Sequence, residues 1–211
     1  MSSHLIFIGA PGSGKGTQAS RFVAEKAYKH VSTGDLLRSE IAKGTKLGLE
    51  VKSVMDSGSL VSDDLVIKLL QANIDLVGSQ YIFDGYPRNI DQAKALDSEV
   101  LKGSKSVAIY FEIDMAKLVE RLTNRRTCKD CGSIYNLMFK KPKVTGVCDK
   151  CGGTNLAQRV DDKEDVIANR LKVFNDANAP VLKYYQDLGR LVIVNAESSE
   201  DQIFNLISQA V

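Results

Sequence analysis

The stretch that decides the fold is Gly9–Thr17, which reads GAPGSGKGT. It follows the apolar segment His4–Gly9, predicted as a buried strand, and opens a helix predicted over Gly14–Lys26. Glycines let the backbone turn tightly, so that successive N–H groups and the positive end of the helix point at an anion. A lysine in this position reaches the outer oxygens of a polyphosphate. The stretch therefore predicts a phosphate-binding loop rather than an ordinary glycine-rich turn before a helix.

Short apolar strands and amphipathic helices alternate along the rest of the chain. Further strands are predicted to end at Val31 and to cover Gln80–Phe83, Ser106–Ile113 and Leu191–Val194. Further helices are predicted over Thr33–Ala42, Leu47–Met55, Ser62–Val77, Asn89–Leu96, Asp114–Asn124, Lys163–Leu188 and Ser198–Ala210. This alternation favours a three-layer α/β fold, in which helices cover both faces of a parallel sheet of about five strands. Ligands of such sheets bind beyond the carboxyl ends of the strands.

The composition excludes several classes of protein. The chain has 211 residues, 44% of them apolar, which is enough for one domain with its own core. Its 28 basic and 26 acidic residues leave a net charge of +2, too small an excess for a general binder of nucleic acid or membrane surfaces. No stretch approaches the roughly 18 unbroken apolar residues of a membrane span, and Met1–His4 carries no basic run. We therefore expect a cytosolic protein, and a monomer because no exposed apolar helix stripe stands out.

A second motif lies at Tyr81–Arg88, which reads YIFDGYPR. Its apolar strand is predicted to bring the carboxylate of Asp84 to the sheet edge where the phosphate loop begins. A carboxylate there can hold Mg²⁺ directly or through water, and Thr17 is predicted to assist with its hydroxyl. The loop has Gly16 where the general motif has Ser or Thr, which moves the hydroxyl by one residue. An aspartate that only caps a turn is the alternative interpretation.

The four cysteines form two C-x-x-C pairs, Cys128 with Cys131 and Cys148 with Cys151, separated by sixteen residues. This spacing is typical of a structural zinc site, in which four thiolates fill a tetrahedral shell and leave no position open for catalysis. A glycine follows each pair, as tight metal-binding knuckles require. Iron could occupy the same shell. Two disulfides or four free thiols are the alternatives, and a cytosolic location disfavours the disulfides.

Further motifs follow in a specific order: STGDLLR at Ser32–Arg38, DGYPRNIDQA at Asp84–Ala93, NRR at Asn124–Arg126 and QRVDD at Gln158–Asp162. Together with the phosphate loop they cover nearly the whole chain, and the chain resembles the adenylate kinases of the P-loop nucleoside monophosphate kinase family. It looks like the long form, whose enlarged lid carries a zinc site made of four cysteines. The resemblance implies reversible, Mg²⁺-dependent phosphoryl transfer between ATP and AMP, giving two ADP. Tyr86 stands where the family usually has phenylalanine.

The resemblance also implies a single kinase unit with three parts. The core would cover residues 1–31, 62–123 and 162–211. An AMP-binding insertion would cover residues 32–61, and a zinc-binding lid residues 124–161. Asp161 and Asp162 resemble lid residues that pair with arginines when the lid closes.

Site residues are carried over from the resemblance in three groups. The ATP-binding group is Gly12, Ser13, Gly14, Lys15, Gly16, Thr17, Arg121, Arg125, Ile134, Tyr135 and Ser198. The AMP-binding group is Thr33, Arg38, Ser59, Leu60, Val61, Gly85, Tyr86, Pro87, Arg88, Gln92, Arg159 and Arg170. The catalytic group is Lys15, Arg88, Arg125, Arg159 and Arg170.

Charge balance is consistent with this interpretation. ATP and AMP bring about six negative charges near neutral pH, because a phosphate monoester has a second pKa of about 6. The matching charges come from magnesium, which supplies two, and from six side chains: Lys15, Arg38, Arg88, Arg125, Arg159 and Arg170. Arginine suits this role because it binds phosphate oxygens in pairs. The attacking AMP oxygen is already deprotonated, so no general base is expected, and catalysis should depend on alignment and charge neutralisation.

Two alternatives remain open from the sequence. The first is a kinase of the same class that phosphorylates UMP, CMP or another small monophosphate. The second is a zinc-ribbon nucleic-acid module joined to a nucleotide-binding switch. The second is weaker, because Lys140, Lys141 and Lys143 are the only basic cluster near the cysteines, and a solvated surface explains them equally well.

Overall fold

The computed structural model describes residues 3–211, so that Met1 and Ser2 lie outside the described residues. The strands are β1 His4–Ile8, β2 Lys29–Ser32, β3 Tyr81–Asp84, β4 Ser106–Glu112, β5 Arg125–Cys128, β6 Ile134–Asn136, β7 Leu156–Ala157 and β8 Leu191–Asn195. The helices are α1 Lys15–Lys26, α2 Thr33–Lys43, α3 Lys46–Asp56, α4 Asp63–Asn73, α5 Ile90–Ala95, α6 Ala116–Thr123, α7 Glu164–Asp187 and α8 Glu200–Gln209. Two short helical segments are a π-helix over Leu96–Leu101 and a 3-10 helix over Val160–Asp162.

The main sheet has five parallel strands in the order β2-β3-β1-β4-β8. Strand β1 lies in the middle, and all five of its residues are buried because helices cover both faces. The phosphate loop follows β1, and Asp84 ends the neighbouring β3. Both motifs therefore lie at the carboxyl edge of the sheet. The predicted α/β fold with a five-stranded parallel sheet is confirmed.

Two apolar clusters hold the three layers together. On one face Ile6, Phe83 and Tyr185 belong to a cluster that joins the sheet to α2–α5 and α7. On the other face Phe7 and Phe22 belong to a cluster that joins the sheet to α1 and α8. Alternate residues of β1 therefore serve opposite cores, which explains why the strand is apolar throughout. No helix within residues 3–211 is both long enough and apolar enough to cross a bilayer.

A second, smaller sheet interrupts the alternation of strands and helices. Strands β5, β6 and β7 form an antiparallel sheet in the order β6-β5-β7, within the segment predicted as the lid. Its apolar cluster contains only two cysteines and Tyr135 as buried members, with Cys131 and Leu156 packed against them. So small a cluster supplies little hydrophobic stabilisation, which makes the cysteines the principal candidates for holding this sheet together.

Two helix predictions were wrong at their carboxyl ends. The helix predicted over Ser62–Val77 ends at Asn73, because Ile74 is extended and the Asp75 side chain accepts the Val77 N–H in a turn. The helix predicted to end at Leu96 continues as the π-helix to Leu101, which buries Leu96, Val100 and Leu101.

Candidate active site

One cavity of about 690 Å³ opens at the carboxyl edge of the main sheet, between the phosphate loop, α2, α7 and the small sheet. Every residue that the sequence predicted for nucleotide or magnesium binding lines it. These are Gly12, Ser13, Gly14, Lys15, Gly16, Thr17, Thr33, Arg38, Ser59, Leu60, Val61, Asp84, Gly85, Tyr86, Pro87, Arg88, Gln92, Arg121, Arg125, Ile134, Tyr135, Arg159, Arg170 and Ser198. The fold thus brings together segments that are distant in the sequence.

The phosphate loop turns into α1 at Gly14, whose φ of 98° places it in the left-handed region that favours glycine. The Nζ of Lys15 lies over the loop and donates to the carbonyl oxygens of Gly9 at 2.7 Å and Ala10 at 3.0 Å. A Cβ at residue 16 would lie 3.3 Å from Cδ1 of Ile134 in the small sheet. The glycine that departs from the general motif therefore gives the small sheet room to lie directly on the loop.

Lys15 is surrounded by like charges. The pKa of its ammonium is lowered to about 8, mainly by removal from bulk water and also by Arg88, Arg170 and Arg125, while Asp84 acts in the opposite direction. Among residues 3–211, neither Lys15 nor Arg88 has a carboxylate within ion-pair distance. An anion entering the cavity would relieve this repulsion.

Asp84 lies beside His30, a residue that the sequence analysis missed. The Nε2 of His30 is 3.3 Å from Oδ2 of Asp84. Burial by itself would raise the pKa of the carboxyl, but the hydrogen bond from His30 and the charges of Lys15 and Arg88 outweigh it and hold the pKa below its ordinary value. Asp84 is therefore a charged oxygen donor in the cavity, of the kind that Mg²⁺ prefers.

The opposite part of the cavity is organised around the turn after β3. The carbonyl oxygen of Gly85 accepts from Thr33 Oγ1 at 3.0 Å and from Arg88 Nε at 2.8 Å. The carboxamide of Gln92 is held by Arg88 N–H and by Asp63, which the sequence analysis did not single out. The hydroxyl of Tyr86 is buried and has no hydrogen-bond partner among the described residues.

Arginines of the cavity alternate with aspartates. Arg38 pairs with Asp35 at 2.5 Å, and Arg159 approaches the same carboxylate at 3.7 Å. Arg38 also lies 3.8 Å from Asp161, which pairs with Arg170 at 3.2 Å. These contacts join α2 to α7 and to the residues that follow the last strand of the small sheet. The carboxylates thus occupy arginines that could otherwise receive phosphate oxygens.

Asp162 is fully buried and holds two more arginines of the cavity. Its carboxylate accepts from Arg125 Nε at 2.8 Å and Nη2 at 2.5 Å, and from Arg170 Nη1 at 3.0 Å. Its side chain has 0% exposure, and the two arginines expose 12% and 16%. A buried carboxylate bonded in this way fixes both guanidinium groups in position.

Replacing Asp162 by asparagine should lower the free energy of unfolding by roughly 3 kcal/mol, because it leaves the largely buried Arg125 without its charge partner and Arg170 with Asp161 alone. Urea denaturation followed by circular dichroism would measure the change. Asp165→Asn, an exposed acid in the first turn of α7, serves as the control. A loss below about 1 kcal/mol, the range of exposed ion pairs, would contradict the conclusion that Asp162 fixes the two guanidinium groups.

Residues near α8 line the far end of the cavity. The guanidinium of Arg121 donates to the carbonyl oxygen of Ala196 at 3.3 Å and lies 5.6 Å from the ring centroid of Phe139. Ser198 lies on the same wall. Phe139 is 67% exposed, and the sequence analysis placed no site residue there. An arginine and an aromatic ring at one wall suit a flat base.

The four cysteine sulfurs cluster within 4.8 Å of one another. The Sγ atoms of Cys128 and Cys151 are 3.6 Å apart, and those of Cys131 and Cys148 are 3.5 Å apart. A disulfide requires about 2.05 Å, whereas a tetrahedron of thiolates at about 2.3 Å from zinc has edges of about 3.8 Å. The spacing therefore fits a metal shell, and the disulfide alternative is wrong for this structure, in which all four cysteines are free.

The two cysteine pairs adopt the same backbone conformation. In each, the first cysteine's carbonyl oxygen accepts the N–H of the glycine four residues later, at 2.9 Å for Cys128 and 2.8 Å for Cys148. Each first cysteine also donates its N–H to the carbonyl oxygen five residues later. Tyr135, which lines the cavity, lies with its hydroxyl 3.3 Å from Cys148 Sγ. The cluster thus adjoins the wall of the cavity.

A phosphate loop at the carboxyl end of a central strand, facing a cleft with converging cations, defines a P-loop phosphotransferase. The sequence model of the adenylate kinase family matches residues 7–190. Adenylate kinases of Syntrophobacter fumaroxidans and Thermodesulfovibrio yellowstonii are each 44% identical, over 209 residues (97% of this chain, 98% of the relative) and 207 residues (96% of each chain). That of Fervidobacterium nodosum is 41% identical over 208 residues, 97% of this chain and 95% of the relative. The chain belongs to the adenylate kinase family, and it is a nucleoside monophosphate kinase.

Proposed function

We propose that the protein transfers the terminal phosphoryl group of ATP to AMP, reversibly and with Mg²⁺, giving two ADP. The observation that carries the proposal is the convergence of Lys15, Arg88, Arg125, Arg159 and Arg170 on one cavity. The end near Arg121 and Ser198 would take the base of ATP. The end near Thr33, Val61 and Gln92 would take AMP, and the phosphates of both would meet between them.

Catalysis by these residues would come from placement and charge. Lys15 would hold the outer phosphates of ATP, and Arg88 would hold the phosphate of AMP from the opposite side. Arg125 and Arg170 are already oriented by Asp162, so their guanidinium groups need little rearrangement to stabilise the transferred group. Phosphates entering the cavity would displace Asp35 and Asp161 from Arg38, Arg159 and Arg170. No side chain is assigned as a general base, since the AMP phosphate is largely dianionic at neutral pH.

Magnesium would be held by the carboxylate of Asp84 and the hydroxyl of Thr17, directly or through water. The hard oxygen donors suit that ion. When bound, it would neutralise charge on the phosphates of ATP. His30 would keep Asp84 ionised and oriented.

The same proposal divides the chain into a core of residues 1–31, 62–123 and 162–211, an AMP-binding insertion of residues 32–61 and a zinc-binding lid of residues 124–161. The separate antiparallel sheet supports the lid, and helices α2 and α3 make up the insertion. Zinc in the four-cysteine shell would stabilise the lid and take no part in the chemistry, because four thiolates leave no open position. A monomeric state and a cytosolic location stay predictions.

The affinity for ATP should fall as pH rises above 8. The pKa of Lys15 is lowered from 10.5 to about 8 in the protein, and bound phosphates would raise it again. Binding above pH 8 would therefore take up a proton, and the Kd should increase up to about tenfold per pH unit in that range. In the absence of nucleotide the folded protein binds fewer protons than the unfolded chain above pH 8, so this group makes the free energy of unfolding rise with pH there. Calorimetric titration with ATP at pH 7, 8 and 9 would measure the Kd, and a Kd that does not change with pH would contradict the prediction.

A substrate panel tests the proposed function. Purified protein is given Mg-ATP with AMP, UMP, CMP or GMP, and nucleoside diphosphate is measured. Rapid ADP formation with AMP alone is expected. Preferential transfer to UMP or CMP would keep the class and replace the assigned acceptor. No transfer to any monophosphate would overturn the proposal, and a salt-dependent interaction with oligonucleotides would then favour the nucleic-acid alternative.

A further inference from the structure

The carboxamide of Gln92 is held by two protein groups, of which one donates a hydrogen bond and the other accepts one. Its Oε1 accepts a hydrogen bond from the backbone N–H of Arg88 at 2.7 Å. Its Nε2 donates to Oδ1 of Asp63 at 2.6 Å. The side chain is 2% exposed and lines the acceptor end of the cavity.

These two partners allow only one orientation of the amide. A backbone N–H can only donate, and a carboxylate can only accept. Rotating the carboxamide by half a turn would set its NH₂ against the N–H of Arg88 and its oxygen against Asp63. Leaving buried polar groups unpaired in this way is costly. The second N–H of the Gln92 amide and the second lone pair of its oxygen are therefore held in fixed positions relative to the cavity.

Asp63 is suited to impose this order because it is itself fixed. It occupies the first position of α4 and also accepts from Asn89 Nδ2 at 3.2 Å. The Oδ1 of Asn89 in turn accepts the backbone N–H of Gln92 at 2.8 Å, which caps α5. One carboxylate thus orients both the side chain of Gln92 and the residue that caps its helix.

We infer that Asp63 is a positioning residue that sets the base specificity of the acceptor site through Gln92. The inference rests on the proposed function, in which the acceptor base lies at this end of the cavity. Adenine carries a 6-amino donor beside the N1 acceptor, whereas hypoxanthine carries a 6-oxo acceptor beside an N1–H donor. With the base held in one orientation by its ribose and phosphate, an amide that cannot turn pairs with one of these edges and opposes the other.

The test compares AMP with IMP as acceptors for the native protein, D63N and D64N. An amide at position 63 can turn and offer either a donor or an acceptor, so that Gln92 keeps the backbone N–H of Arg88 but loses the partner that can only accept. Asp64 is the exposed neighbour in the same helical turn, so D64N removes the same charge without touching Gln92. In D63N the ratio of kcat/KM for IMP to that for AMP should rise about tenfold, the upper end of the net effect of one hydrogen bond. The KM for ATP should not change.

The ratio is measured on one preparation, so a loss of correctly folded protein cancels. An unchanged ratio in D63N, with both activities lowered alike, would overturn the inference and leave Asp63 a purely structural role. An equal change in D64N would overturn it as well, since the effect would then follow charge alone. If the native protein transferred no phosphoryl group to AMP, the proposed function itself would fail, and this inference with it.

Discussion

Lys15→Met should reduce kcat/KM for ATP by about 1000-fold, at the upper end of the effect of removing one group that stabilises a transition state. Lys15 is the only cation within the phosphate loop itself, and its Nζ lies over the loop carbonyls, where the outer phosphates are expected. Methionine keeps most of the side-chain length and removes only the charge and its hydrogen bonds. Steady-state assays of ADP formation at saturating AMP would measure the loss.

The same variant should be no less stable than the native protein. The ammonium of Lys15 is disfavoured by its surroundings, as its lowered pKa indicates, so that its removal relieves repulsion with Arg88, Arg125 and Arg170. Lys26→Met, at the exposed end of the same helix, is the matched control and should leave activity unchanged. Less than a tenfold loss of activity in Lys15→Met, or a loss that parallels a lower melting temperature, would contradict the assigned role.

Cys148→Ser should release the metal proposed for the four-cysteine shell, lower the melting temperature by roughly 20 °C or more and abolish most of the activity. Structural zinc contributes about 10 kcal/mol or more to small domains that fold around it, and about 2–4 °C of melting temperature is lost per kcal/mol in a chain of this size. The small sheet has almost no apolar core apart from the cysteines, and Cys148 is 1% exposed. Metal analysis with calorimetry would measure both effects.

The control for this variant is Lys150→Ser, which lies in the same knuckle and is exposed. It should retain one metal ion per chain and the native melting temperature. Metal analysis of the native protein also separates zinc from iron. Native protein that binds no metal, together with a Cys148→Ser variant that melts at the native temperature, would refute a structural metal.

The sequence predicted the fold well wherever the signal was local and repeated. The strand before the phosphate loop and the helix after it were expected within one residue of their observed bounds. The strands of the small sheet were missed because they have only two to four residues, too few for a period of two to stand out. The π-helix was missed because six residues are too few for a helical period to stand out.

The site residues that were predicted belong to continuous motifs, and those that were missed act through distant partners. His30 matters because it meets Asp84, 54 positions away, and Asp63 because it meets Gln92, 29 positions away. Neither pairing leaves a pattern in a single sequence. Asp35 lies inside a predicted motif, yet its contact with Arg159 joins residues 124 positions apart. Sequence reasoning therefore predicted residues that line the cavity and missed the groups that orient them.

The hydrogen bonds between Arg125 and Asp162 have one further consequence. Arg125 begins the first strand of the small sheet, and Asp162 follows its last strand, so the chain leaves the core and returns to it at a single joint. The length of residues 125–162 can therefore change without moving the two ends of the segment, because Arg125 and Asp162 hold them together. We expect the heat resistance of this segment to change independently of that of the core, as long as the joint and the cavity-lining residues of the segment are preserved.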